Sequence, residues 1–241
     1  MNSTAACLQD LYGIPTAPAT QKSNALLVTA YVEQYAQTAD LAAFLKLLRP
    51  DIPSTTTFKV ISLDNGTDPQ GPDDAGVEAD LDIQYTVGIA TGVPVEFLSV
   101  GGGDTDQDFA SSLLDTTTFL DGVPNPPSAM TTSYGLNEEE FGSSLATKIC
   151  NGYMALGARG ISVLTASGDG GVRGNHDDLT VCNVTDFIPV FPASCPFVTQ
   201  ISGNLEWFRT GESGEMSGAS PNFEWIPSFR RSSRYIQSDR A

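Results

Sequence analysis

Apolar and polar positions along this chain change period repeatedly, and each change marks an element. Asn24 to Ala30 is a near-continuous apolar run with Leu26, Leu27 and Val28 at its centre, and it predicts a buried strand. From Thr38, Leu41, Phe44, Leu45 and Leu48 recur at helical spacing; Thr38 is the expected cap, Asp40 sits in the first turn and Pro50 ends the helix. Thr57 to Leu63 alternates, as a strand does. A loop rich in Gly, Pro and Asp follows from Asn65 to Gly76, and Val77 to Ala90 then predicts a helix with Val77, Leu81, Tyr85 and Gly88 near one face. Pro94 to Val100 predicts a strand, Phe109 to Leu120 a helix and Met130 to Tyr134 a strand. Asn137 is the expected cap of a helix that opens on Glu138, Glu139 and Glu140 and runs through Lys148 to Leu156. Ile161 to Ala166 is a further buried strand, ending on Ser167-Gly168-Asp169-Gly170-Gly171. Beyond it come a polar loop over 171–187 and a short strand from Phe197 to Ile201. Residues 1–20 form a polar arm, and 203–241 show no strong periodicity. Strands alternating with helices at this spacing argue for an α/β fold with a mostly parallel sheet and helices on both faces.

The 241 residues suffice for one such domain, and the 40% apolar content suits a folded chain. The formal net charge of -17, from 29 acidic and 12 basic residues, repels nucleic acid and anionic membranes at neutral pH. It falls near pH 4, where carboxylates protonate, which suits work in acid. No run of 18 apolar residues is present to span a membrane, and Met1 is followed by polar residues instead of an apolar signal segment.

Cys7, Cys150, Cys182 and Cys195 form no CxxC pair, and His176 is the single histidine, which argues against a structural zinc site. One or two disulfides, most simply Cys182 to Cys195, or four buried thiols remain open. Sequons at Asn2, Asn65 and Asn183 are candidate N-glycosylation sites.

Two acidic features carry candidate chemistry. Glu78 and Asp82 lie four apart in a predicted helix, which places both carboxyl groups on one face. Carboxyl groups forced together split their pKa values, so one holds a proton while the other is charged, and such a pair can relay a proton from a hydroxyl nucleophile in acid. With Asp80 between them, the same spacing also describes a solvated helix face. Asp169 ends a buried strand in a glycine-rich turn, where open α/β sheets place their sites. A protonated carboxyl there can donate to a developing oxyanion, although a turn aspartate that satisfies nearby amides reads the same way.

Five stretches occur together in one order. They are Tyr31-Val32-Glu33-Gln34-Tyr35-Ala36 with Asp40-Leu41, Glu78-Ala79-Asp80-Leu81-Asp82-Ile83-Gln84-Tyr85, Ser133-Tyr134-Gly135, Ser167-Gly168-Asp169-Gly170-Gly171, and Phe191-Pro192-Ala193-Ser194-Cys195-Pro196-Phe197-Val198-Thr199. The combination resembles the sedolisin family of serine-carboxyl peptidases, in its tripeptidyl-peptidase branch, most strongly over residues 7–200. The resemblance implies a subtilisin-like fold and cleavage of peptide or protein substrates in acid through an acyl-enzyme, with tripeptides removed from free N-termini. It also implies a secreted protein. Glu78 is then the base beside the serine, Asp82 its support and Asp169 the oxyanion acid, and Ser133-Tyr134-Gly135 lines the substrate cleft.

The resemblance departs at the nucleophile. The family carries it in a Gly-Thr-Ser segment, with a calcium site further on in aspartate-rich loops. The superficial match here is Met216-Ser217-Gly218-Ala219-Ser220-Pro221, only about 20 residues after the Phe197-Val198-Thr199 strand. Pro227 would cut short a helix opened at Ser220. The expectation is therefore a partial peptidase domain over 1–241 whose C-terminal part is missing, along with the nucleophile and the calcium site, and whose residues 203–241 are an atypical tail. No cofactor is expected within this chain. The competing expectation is a non-catalytic, peptidase-like protein that binds peptides without turning them over.

Overall fold

A computed structural model of the chain describes residues 5–175 and 187–202. Eight strands and five α-helices alternate along them: α1 (Ala5–Tyr12), β1 (Leu26–Ala30), α2 (Thr38–Leu48), β2 (Lys59–Leu63), α3 (Val77–Ile89), β3 (Val95–Val100), α4 (Asp106–Gly122), β4 (Ala129–Thr132), β5 (Leu136–Asn137), α5 (Ser143–Ala158), β6 (Ser162–Ala166), β7 (Val190–Phe191) and β8 (Thr199–Ile201). Six strands form one sheet in the order β2-β3-β1-β4-β6-β8, with every pair parallel. β5 and β7 make a small antiparallel pair.

The central strands are apolar throughout because they are covered on both sides. Neighbours along a strand point to opposite faces. Leu27, Leu98, Met130 and Val163 accordingly pack with Phe109 and Leu113 of α4 and with Ile149 and Tyr153 of α5. Val28, Val95 and Phe97 pack on the other face with Leu41 and Phe44 of α2 and with Ala79 and Ile83 of α3. The predicted parallel α/β architecture is the one observed.

Several local expectations are corrected. The face of α3 that packs is Ala79, Ile83, Val87 and Gly88, whereas Val77 and Leu81 stay exposed. Small side chains at 79 and 88 let the helix lie close to Phe44 and the sheet, and a Cβ at Gly88 would come within 2.7 Å of the Phe44 ring. Thr38 does not cap α2. Gln37 takes that place, and the Thr38 hydroxyl bonds Gln70 Oε1 at 2.8 Å. The expected helix from Asn137 is interrupted: Glu138–Glu140 form one 3-10 turn, Phe141 is extended, and α5 starts after Gly142. Asn137 is held in β5 opposite Val190, and Phe141 is drawn in to stack on Phe191. The polar arm contains α1, which docks through Ala5 and through Gln9 Nε2 donating to the Ile89 carbonyl at 2.9 Å. With only two buried residues it shows no apolar stripe.

Cys195 pairs with Cys150 of α5, not with Cys182. The turn after β7 folds back onto α5 and buries both sulfurs in the core beside α4 and α5. Sequence proximity therefore misidentified the partner, and Cys182 lies outside the described residues. So do Asn2, His176, Asn183, Ser220 and the rest of 203–241.

Candidate active site

Parallel strands bring their C-terminal ends to one edge of the sheet, and the helices that follow depart from there. The segments after β1, β3, β4 and β6 open together on a cleft of about 510 Å³. Val32 and Gln34 come from the first, Asp104 to Asp106 from the second, Ser133 to Leu136 from the third, and Gly168 and Asp169 from the fourth. Val77 and Glu78 reach it from the start of α3.

The segment after β1 sets the position of α3. Val32 and Glu33 both hold positive φ, at 49° and 57°. For a β-branched valine this is a costly conformation, of the kind that gathers at functional sites. The turn aims Gln34 at the helix start, where its Oε1 accepts the Glu78 amide at 3.1 Å and satisfies one of the open amides of the first turn. Gly76 permits this approach: a Cβ there would lie 2.5 Å from Gln34 Oε1 and 2.7 Å from the Tyr35 amide. Asp80, on the far side of the helix from the cleft, accepts the Gln37 amide at 2.7 Å. Glu78 and Asp82 are thus carried by a helix tied down at its first turn.

Asp82 stands one turn deeper than Glu78, behind the cleft wall. Ser133, the first residue after β4, donates its hydroxyl to Asp82 Oδ1 at 2.7 Å. Asp82 Oδ2 is buried and has no hydrogen-bond partner among the described residues. Burial pushes the Asp82 carboxyl up to about 7 against the pull of the Ser133 hydrogen bond, and the charge of Glu78 adds to the rise. Burial also raises Glu78; its hydrogen bond with Ser133 opposes this, and the charge of Asp169 reinforces it. Tyr134 stacks edge-on against Tyr31 at 5.4 Å, and burial beside Asp82 and Glu78 pushes its hydroxyl up as well.

Asp169 is exposed on the opposite lip. Gly168 precedes it at φ 86°, where a Cβ would also press within 2.7 Å of Val190. Asn175 fixes this wall: its Nδ2 donates to the Gly135 carbonyl at 2.6 Å, and its amide donates to Asn137 Oδ1 at 2.8 Å.

The structure therefore gathers Glu78, Asp82, Ser133, Tyr134, Gly135 and Asp169 around one cleft. Sequence reasoning missed Gln34, Asn175 and the Asp104-Thr105-Asp106 rim. For the rim a signal existed, since Thr105 caps α4 by accepting the Asp108 amide and the helix begins three residues before the expected Phe109. The lining carries Glu78, Asp104, Asp106 and Asp169 and, among the described residues, no lysine or arginine. Among the described residues no group of three or more His, Cys, Asp or Glu is arranged to hold a metal ion, and no helix is long and apolar enough to cross a membrane.

No family model matches the chain. Curated proteins do. It is 33% identical over 209 residues to the tripeptidyl-peptidase SED4 of Arthroderma otae, a match that covers 82% of this chain and 35% of the relative. It is 33% identical over 233 residues to a probable tripeptidyl-peptidase SED2 of Trichophyton verrucosum, covering 91% of this chain and 38% of the relative. The chain resembles the sedolisin family, in its fungal tripeptidyl-peptidase branch. It spans little more than a third of the length of these sedolisin relatives. Among solved structures, a Pseudomonas sedolisin, a serine-carboxyl proteinase complexed with two molecules of pseudo-iodotyrostatin, superposes with a TM-score of 0.57. At 18% identity, over 79% of this chain and 50% of that one, the likeness speaks for the subtilisin-like fold alone.

Proposed function

We propose that residues 1–241 are part of a serine-carboxyl tripeptidyl-peptidase domain that, when complete, cleaves peptides in acid, and that Glu78, Asp82 and Asp169 are its working acids. One observation carries the reading: Glu78 and Asp169, from two distant segments, line one cleft, and Asp82 stands behind its wall, bonded to Ser133 of the same cleft. A solvated helix face would not be walled in by Ser133 and Tyr134. In the complete site a serine hydroxyl would pass its proton to Glu78 as its oxygen attacks the peptide carbonyl carbon. Asp169 would serve as the oxyanion acid, donating a hydrogen bond to the developing oxyanion. Collapse of the adduct would break the C–N bond, with Glu78 returning its proton to the leaving amine, and water would release the acyl group by the same steps. The acidic lining favours a cationic peptide N-terminus, as tripeptide removal requires. Secretion and glycosylation at Asn65, which is exposed in the turn after β2, belong to the same reading.

The test uses the purified 241-residue chain at about pH 4 with a tripeptide amide. Binding without hydrolysis is the expected result, seen as a thermal shift that Glu78→Gln and Asp169→Asn reduce. Hydrolysis abolished by Ser220→Ala would show that the chain supplies its own nucleophile and overturn the partial-domain reading. No binding by the wild type at any pH between about 3 and 6 would overturn the peptidase-like reading itself. A full-length transcript that encodes a downstream Gly-Thr-Ser segment followed by Pro would identify the chain as part of an enzyme. A transcript without one favours the peptide-binding protein.

A further inference from the structure

The Ser133 side chain meets the acid pair Glu78 and Asp82 of α3, although it arrives on a separate element 51 residues from Asp82. A hydroxyl has one proton to donate, and here that proton goes to Asp82 Oδ1. The second Asp82 oxygen is buried without a partner among the described residues, a poor place for half of a negative charge and a tolerable one for a neutral O–H. Glu78 lies on the cleft wall, where water or a ligand can solvate its charge.

We propose that Ser133 is a positioning residue for this acid pair: its hydroxyl holds Asp82 by Oδ1, which leaves the buried Oδ2 as the oxygen that carries the Asp82 proton, and it eases the ionisation of Asp82 against its burial. The proposal rests on the reading of Glu78 and Asp82 as the working acids. It assigns the Ser133 side chain a task apart from lining the cleft. The groups that face the pair are Tyr134 beside Ser133 after β4, Tyr31 at the end of β1, which stacks on Tyr134, and Asp169 after β6, which acts on Glu78. Loss of the Ser133 hydroxyl removes the one hydrogen bond that stabilises the charged form of Asp82, so Asp82 should hold its proton to higher pH.

The experiment is a carboxyl-carbon NMR titration of the 241-residue chain labelled at Asp and Glu, with the signals assigned from Asp82→Asn and Glu78→Gln. In the wild type, Glu78 is expected to lose its proton before Asp82. In Ser133→Ala the Asp82 midpoint is expected to rise by about one pH unit, the size expected for one hydrogen bond to a charged group. Ser133→Thr, which keeps the hydroxyl, is expected to restore it. An Asp82 midpoint unchanged in Ser133→Ala, or a Ser133→Thr variant that behaves like the alanine, overturns the proposal. Should Ser133→Ala fail to fold, Ser133→Cys decides: its weak thiol donor should give an upward shift, and no shift overturns the proposal. Peptide binding is read separately, so a chain that binds no peptide but shows the Ser133-dependent shift loses the proposed function and keeps the positioning role.

Discussion

Urea unfolding of the chain between about pH 4 and pH 8 sets the buried Asp82 carboxyl against its solvated state in the unfolded chain. Burial, opposed by Ser133 and aided by Glu78, raises Asp82 from 3.8 to about 7. Between those values the unfolded chain has released the proton and the native chain keeps it. The native state then binds more protons, and stability falls as pH rises. The contribution is whole below about pH 4 and lost by about pH 7. Three pH units at about 1.4 kcal/mol each set a ceiling of about 4 kcal/mol. Asp82→Asn keeps the size and an oxygen for Ser133 but removes the titration. The difference between wild type and variant isolates Asp82 from Asp68 and Asp80, which burial also raises to about 6. The variant should match the wild type near pH 4 and exceed it near pH 8 by a few kcal/mol, read from urea midpoints by circular dichroism. Equal pH slopes for the two proteins would refute the reasoning, because the native Asp82 would then be no harder to ionise than an exposed aspartate.

Three further outcomes follow from single contacts. Cys150→Ser should cost about 4 kcal/mol, the loop entropy of a crosslink across 45 residues, and lower the melting temperature, whereas Cys182→Ser should leave this bond unbroken in a peptide map. Gly76→Ala should cost about 1–3 kcal/mol in chemical denaturation, because its Cβ would displace Gln34 from the start of α3. Arg159→Ala should cost about 1.5–3 kcal/mol in thermal unfolding, because the guanidinium holds the Leu120, Asp121 and Val123 carbonyls at the end of α4.

The main elements were legible because period and breakers are local properties. The apolar runs at Leu26–Ala30 and Ser162–Ala166, the helix over α2 and the turn at Gly168 need only their neighbours in sequence. The placing of Glu78 and Asp82 together was legible for the same reason, since four residues make one helical turn. The packed face of α3 was not. The apolar residues Val77 and Leu81 are exposed, and the packed face of Ile83 and Val87 is completed by Ala79 and Gly88, whose small size carries little hydrophobic signal. The break before α5 escaped because the pairing of Asn137 with Val190 is decided by a strand more than fifty residues on.

By itself, the order of residues determined the main strands and helices of the sheet and its covering layers, that the sheet is parallel, and which acids stand at strand ends or share a helix face. Those properties come from short-range backbone sterics and from the repeat of apolar positions. Tertiary structure alone decided that Ser133 meets Asp82 and that Cys150 takes Cys195. It also decided that Gln34 anchors the helix bearing Glu78. Each of these partnerships crosses at least one β-α connection. They exist because the parallel register brings the ends of β1, β4 and β6 to one edge of the sheet and packs α3 and α5 against opposite faces.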